Sequence, residues 1–500
     1  MSMILLFKKM IVKTKLGKKL HLYVVKLRFK NDVFDECLMA DKLIQFQSSF
    51  PVSQIKYGDL SIWPVLRHYI WFKIQLRAKK NINFLRAHPY KKTLSANVKK
   101  HLKSAHNCFD LVEIEPDEVE LLFFINQNGT EQTFIENEVY HRLTDPIFDE
   151  VKGDFKCEKL EIITSGNIND KSYHNDSTKL LVSTLNKHHS KIDYPLYFEQ
   201  SINNLFTKLN ILQFQTHVDV FFDNVYFYTE LLKIKKPKAV FFIGYDYSLA
   251  LIMAANNLGI KTIDLQHGIQ VGWSPVYNNL MEDMSKYEHI LPSNFFVWGE
   301  YDKLHINNVF PCSQADISGF KWLDKFKEYE LLDDSVAEWI KKTNKKGNKV
   351  GVITLQDQTE FPDEIYRILE SIGNRYEWII KRHPRHNNIV IPPNMKNVFY
   401  GDVVDRMPLK AILPHSFVNL TECSTSLIEA NYFGVKGICY GSKGLKDYAY
   451  FIQHKIIHWI DDEKSCIDTY ELNNYLKNEM GSLGIIDNHN DIKKIIEGII

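Results

Sequence analysis

Five hundred residues with 45% hydrophobic and 25% charged side chains describe a globular chain too long for one ordinary core, so two or three folding units are expected. The formal charge of +1 excludes a globally basic nucleic-acid binder, and any anion site must be local. Seven cysteines (Cys37, Cys108, Cys157, Cys312, Cys423, Cys439 and Cys466) form no C-x-x-C pair, which argues against a disulfide framework or a zinc site and for a reducing compartment, read here as the cytoplasm.

In chain order, no apolar run approaches the roughly 18 residues that span a bilayer, and the apolar stretch at 3–7 is too short for the core of a signal peptide. The first thirty residues carry lysines and arginines from Lys8 to Lys30, interleaved with Leu, Ile, Val and Phe and opposed by no acid. Such a stretch either lies against an anionic membrane face, here the inner membrane, or forms the solvated basic edge of a hairpin or helix. Apolar positions at helical spacing from Leu60 to about Lys80, with Pro64 near the first turn, predict an aromatic helix. It packs a core or a domain face, although Arg67, His68 and Lys73 would also suit a membrane surface. The stretch 91–117 loses periodicity and reads as a connector. Residues 1–117 are therefore expected to form an N-terminal helical and aromatic extension, associated with a membrane or an acceptor.

Regular alternation starts with a buried-strand pattern at 119–125, closed by the turn Asn126-Gln127-Asn128-Gly129. Residues from about 176 to 235 read as helical. A strand at 239–243, a helix at 248–258, the stop Gly259 and a strand at 262–265 make a βαβ unit, and further strands are expected at 295–298 and 317–319. The polar run at 344–348 marks a boundary. Beyond it, strands at 350–355, 378–381, 398–400, 417–420 and 438–440 alternate with helices at 362–372, around 407–413 and from Ser426 to Gly434. Strands alternating with helices of about ten residues imply parallel sheets. The expected fold class is α/β, with two Rossmann-like domains, 118–343 and 344–500, facing a cleft.

Two strand ends in the second unit seek anions. One apolar strand delivers Lys381, Arg382, His383 and Arg385, and Pro384 fixes an extended exit that sends the His383 imidazole off the sheet edge. Lys381 and Arg382 alternate about the strand, so one of them faces away from any ligand. The other end, at 421–430, is a hydroxyl-rich turn opening a helix, where Ser424, Thr425 and Ser426 can seat a phosphate. Ser426 and Glu429 also fit a capping box, which would make Glu429 structural. In the first unit His267, just past a strand and followed by Gly268, should face the cleft as a general base, or else is a locally satisfied buried histidine. Asp246 is the competing base, or else the N-cap of the next helix. Asp461-Asp462-Glu463 reads as an exposed acidic turn. No D-x-D stands at a strand end, so no metal and no other cofactor is expected.

Together these motifs resemble the GT-B glycosyltransferases, specifically the bacterial capsule and lipopolysaccharide transferases that include sialyl- and Kdo-transferases using CMP-activated sugars. Lys381-Arg382-His383-Pro384 looks like their His-Pro motif, Ser424-Thr425-Ser426 like their Ser/Thr motif, and Glu429-Ala430 with Gly434 like the E-A-x-x-x-G stretch of many GT-B donor domains. Gln266-His267-Gly268 and Val297-Trp298-Gly299 extend a looser likeness into the first unit. The resemblance implies metal-independent transfer of a sugar from a nucleotide-sugar donor to a glycan or glycolipid acceptor. It further implies that Lys381, His383 and Ser424 to Ser426 hold the donor phosphate and that Glu429 binds ribose hydroxyls. Tyr140-His141-Arg142 and Asp145-Pro146 could add sugar contacts. A polyol-phosphate transferase of the CDP-glycerol type, a nucleotide-sugar 2-epimerase and a non-catalytic nucleotide binder stay open as alternatives.

Overall fold

The computed structural model describes residues 36–78, 117–125, 132–135, 138–163, 178–181, 191–195, 198, 202, 211–272, 275–278, 284–325, 331–356, 360–372, 376–383, 389–392, 395–461, 469–477 and 485–500. The basic stretch at 1–35, the connector before Asp117, the turn at 126–129, Pro384, Arg385, Asp462 and Glu463 lie outside the described residues.

Two parallel sheets organise the chain. The first contains β1 (Leu121–Ile125), β2 (Cys157–Ile163), β3 (Thr178–Leu181), β4 (Ala239–Ile243), β5 (Lys261–Leu265), β6 (Asn294–Val297) and β7 (Gln314–Ile317), in the spatial order β3-β2-β1-β4-β5-β6-β7. The second contains β8 (Lys349–Thr354), β9 (Tyr376–Lys381), β10 (Val398–Tyr400), β11 (Val418–Thr421), β12 (Lys436–Tyr440) and β13 (Ile457–Ile460), in the order β10-β9-β8-β11-β12-β13. Every neighbouring pair in both sheets is parallel. Each sheet therefore runs outward from its first strand and then reverses, and the reversal opens a crevice at the carboxyl ends of β1 and β4 and of β8 and β11. These are two Rossmann-like domains facing a cleft, the arrangement expected of a GT-B fold.

The central strands β1, β4 and β12 are buried at every position, as parallel strands covered by helices on both faces must be. Phe123 stacks on Phe241 at 4.4 Å between ring centres, and Phe296 meets Phe241 edge-on at 5.8 Å. In the second sheet Gly351 lets β8 pass under the Trp378 indole, because a Cβ there would sit 2.5 Å from two ring carbons. The stretch expected to be helical from 176 contains strand β3 before the helix Ile211–Lys235 begins; its Leu180-Leu181 pair satisfies either period.

The aromatic helix is Trp63–Ala78. Trp63, Leu66, Ile70 and Ile74 are buried at helical spacing in one core with β1, β4 and the helix Ile211–Lys235. Arg67 is also buried, donating from Nε to Gln47 Oε1 at 2.8 Å and from Nη2 to the Asn278 carbonyl at 3.2 Å. At the other end, Ile485, Ile492 and Ile496 join a core that first-domain residues such as Phe241 and Trp298 share with second-domain residues such as Leu427 and Phe451. Asp487 N donates to the Trp298 carbonyl at 2.8 Å, Lys321 Nζ donates to the carbonyls of Asn488 and Asn490, and Lys493 pairs with Asp154 at 2.6 Å. The chain thus crosses back after the second sheet. Among the described residues no helix is long and apolar enough to cross a membrane.

Candidate functional site

A cleft of about 790 Å³ lies between the carboxyl edges of the two sheets. Its second-domain wall includes Thr354 and Gln356 after β8, Lys381, Arg382 and His383 at the end of β9, and Cys423, Ser424, Thr425, Ser426 and Glu429 after β11. Its first-domain wall includes Arg142, Gly244 after β4, Tyr247, His267 after β5, Trp298 after β6, and Phe72 from the helix Trp63–Ala78. Seven of the eight residues expected at the site line this one space, and Asp246 lies behind it.

The turn after β11 is shaped by buried hydroxyls. Ser426 Oγ accepts from Asn419 Nδ2 at 2.9 Å and lies 2.8 Å from Thr354 Oγ1, while Thr421 Oγ1 donates to the Thr354 carbonyl at 2.7 Å. Those bonds lock the turn to β8. Ser426 is thus a buried tie, and the hydroxyls left at the cleft are those of Ser424 and Thr425. The capping box does not form. Thr425 occupies the cap position without a side-chain cap bond, and Ser426 N instead donates to Ser424 Oγ at 3.3 Å. Glu429, turned away from the cap, is only 6% exposed, and its Oε2 is buried on the cleft wall without a hydrogen-bond partner. Burial pushes its pKa up, against the pull of Arg142, Lys381 and Lys410.

Lys381 does not serve as expected. Its Nζ donates to the carbonyls of Val404, Asp405 and Met407 at 3.0, 2.7 and 2.6 Å, and an ammonium has three protons. The side chain holds the 402–407 segment, and no proton is left for a donor phosphate. Desolvation pushes its pKa down to about 8, with Asp405 opposing. Arg382 is likewise engaged, with Nε donating to Asp405 Oδ2 at 2.7 Å and Nη2 pairing with Asp402 at 3.0 Å. His383 reaches the cleft as the partly exposed end of this strand.

On the facing wall, the Gly244 turn is held by Asp264 of β5, whose carboxylate accepts from the Gly244 and Tyr245 N–H groups at 2.8 and 3.3 Å and from Tyr277 Oη at 3.3 Å. Gly244 takes φ +72°, a left-handed conformation suited to glycine. Asp246 follows in a single 3-10 turn and caps nothing: the next helix, Leu249–Asn257, has Ser248 at its cap. The Asp246 carboxylate is 8% exposed; Oδ2 lies 3.4 Å from His68 Nδ1, and Oδ1 is buried without a partner. Burial holds the His68 pKa below its ordinary value, with Asp246 opposing. His267 lines the cleft, its Nδ1 also unpartnered. A Cβ on the following Gly268 would stand 3.7 Å from Thr425 Oγ1, so His267 arrives beside the hydroxyl turn of the other domain.

Asp145 is not a sugar contact here. Its carboxylate is buried, accepting from Lys159 Nζ at 3.1 Å and from the His141 N–H at 2.7 Å, and thereby shapes the loop that brings Arg142 into the cleft. Local patterning carries no signal that brings His68 and Phe72 to Tyr247, because they stand on the helix Trp63–Ala78, which docks from more than 160 residues away. Among the described residues no cluster of His, Cys, Asp and Glu could hold a metal ion.

No protein-family model and no curated protein matches the chain. Among solved structures, the UDP-GlcNAc 2-epimerase from Methanocaldococcus jannaschii is 13% identical over 76% of this chain and 99% of its own, with a TM-score of 0.48. The UDP-GlcNAc 2-epimerase from Neisseria meningitidis bound to UDP-GlcNAc matches at 13% identity and a TM-score of 0.46, covering 76% of this chain and 99% of that one. Arabidopsis thaliana UGT89C1 complexed with quercetin matches at 11% identity and 0.48, covering 77% and 100%.

Proposed function

We infer that the cleft binds a nucleotide-activated sugar against the second domain and transfers the sugar to a hydroxyl of a glycan or glycolipid approaching from the first. The observation that carries this reading is Glu429. A buried carboxylate oxygen with no partner is costly, and the vicinal hydroxyls of a ribose are two donors that would satisfy it. Ser424, Thr425 and His383 stand beside it as groups for the donor phosphate, with Arg142 supplying positive charge from across the cleft. His267, whose neighbour Gly268 approaches Thr425, would take the acceptor proton while those groups stabilise the departing nucleotide. Asp246 lies behind that wall, beside His68. The cytidine preference and the surface-polysaccharide acceptor rest on the motif resemblance alone.

The test is a thermal-shift titration with CMP, CDP, UMP, UDP and GDP, because a ligand that binds the native state raises its stability. One nucleotide should stabilise the protein, with the shift reduced in His383→Ala and Glu429→Gln. A flat response to all five would remove the reading. Incubating the matching nucleotide sugar without acceptor then separates the alternatives: a 2-epimerase changes the sugar's configuration, and a transferase does not.

A further inference from the structure

His68 and Phe72 are four residues apart on the helix Trp63–Ala78 and so share a face, one turn from each other. His68 meets the Tyr247 ring edge-on at 5.2 Å between centres and approaches Asp246 at 3.4 Å. Phe72, one turn on, reaches the same cleft as Tyr247. Both rings are large and exposed, Phe72 at 38% and Tyr247 at 64%, whereas Trp63 and Trp71 of the same helix as Phe72 are buried and its Tyr69 is half-buried. Between these rings and the polar floor lies the bare backbone of Gly244. A Cβ there would be 3.1 Å from Tyr247 Cδ2, 3.2 Å from Asp246 Oδ1 and 3.6 Å from His267 Cε1.

Given the donor reading above, on which this inference rests, we propose that Phe72, Tyr247 and the Gly244 turn form the acceptor subsite, and that its occupant is a neutral sugar ring. An aromatic lip takes the apolar C–H face of such a ring, while its hydroxyl edge turns to His267, which lines the cleft with a buried, unpartnered Nδ1. A purely aliphatic occupant would leave the His267 nitrogen unpaired, and an anionic one would be set against the Asp246 carboxylate behind the Gly244 turn. The helix Trp63–Ala78 is then part of the acceptor site as well as of the core.

Saturation-transfer NMR on the full chain tests this with methyl glycosides of glucose, galactose, mannose and N-acetylglucosamine as probes, in the presence of UDP and CMP. At least one glycoside should receive saturation, strongest at its ring C–H protons, falling five-fold or more in Tyr247→Ala and restored in Tyr247→Phe, with the nucleotide signals equal in all three proteins. The exposure of Tyr247 makes the alanine variant safe for folding; Phe72→Ala should act in the same direction. Nucleotide signals with no glycoside signal, or with one indifferent to Tyr247→Ala, overturn the subsite and leave the donor reading standing. A Tyr247-dependent glycoside signal without nucleotide binding keeps a sugar site and removes the donor reading; silence from both probes removes both.

Discussion

Glu429 shows how a single side chain can be ambiguous in sequence and decided by packing. Four residues of sequence, Ser426 to Glu429, suit a cap, but the Ser426 hydroxyl is drawn into the Asn419 and Thr354 pair, so nothing recruits Glu429 back to the helix start. With its pKa raised by burial, its ionised form prevails only above the ordinary glutamate range. Ribose hydroxyls donate to the ionised carboxylate, so nucleotide affinity should fall as pH drops through that raised pKa. Glu429→Gln should weaken binding about tenfold, the worth of one charge-assisted hydrogen bond, and flatten the pH dependence; isothermal titration at several pH values checks both. Lys381 makes the opposite case. Its place beside His383 was legible, and its role was not, because the carbonyls that consume its protons come from a segment more than twenty residues later. Lys381→Met should lower unfolding free energy by about 2–4 kcal/mol, since three carbonyls lose a charged donor. Nucleotide affinity should change by less than threefold, as chemical denaturation and a binding titration on the same protein would show.

At the scale of elements, a strand buried on both faces is readable because it is apolar throughout: the 239–243 expectation coincides with β4, buried at every position, and the apolar run at 398–400 coincides with β10, a half-buried to exposed edge strand. Strand β2 was missed because its sequence, Cys157-Glu158-Lys159-Leu160-Glu161, mixes charge with apolar positions, and the charges are taken up inside by pairs such as Lys159–Asp145 and Lys235–Glu158. The C-terminal helix Ile492–Ile499 was likewise unread, although Asp491 caps it by accepting from Lys494 N. Its seat depends on Gly319, where φ is +72° and a Cβ would fall 2.2 Å from Asn488 Oδ1 and 2.4 Å from the Asp487 carbonyl. Gly319→Ala should therefore cost about 1–3 kcal/mol through strain and displacement. Hydrogen exchange should then show residues 485–500 opening first, while the second sheet keeps its protection.

For the molecule as a whole, acid is the condition under which the helix Trp63–Ala78 should fail. His217, its ring tilted against Tyr69 of that helix at 4.4 Å between centres, has its pKa pushed down to about 4 by burial and by the nearby His68 and Lys73, and His68 is shifted the same way. A histidine whose folded pKa lies below its unfolded one contributes fully above about pH 6.5, and the contribution is lost as pH falls toward the folded value. Stability should decline between pH 6.5 and 4 with a slope of up to about 1.4 kcal/mol per pH unit from His217, and His68 acts in the same direction. His217→Phe should remove part of that slope in denaturation curves. The motif resemblance pointed to both walls of the cleft from local patterns, whereas the helix that completes one wall could be placed only by tertiary packing.

The crossing of residues 485–500 back onto the first domain bears on how the protein is made. The seven described strands of that domain's parallel sheet have been synthesised by Ile317, yet the helix that covers part of its core comes about 170 residues later. At the usual 5–20 residues per second, the ribosome needs roughly ten to thirty seconds to deliver it. Throughout that interval the nascent first domain holds apolar surface open to solvent, so it should be a client of chaperones during translation and reach its final stability only after the second domain has been built.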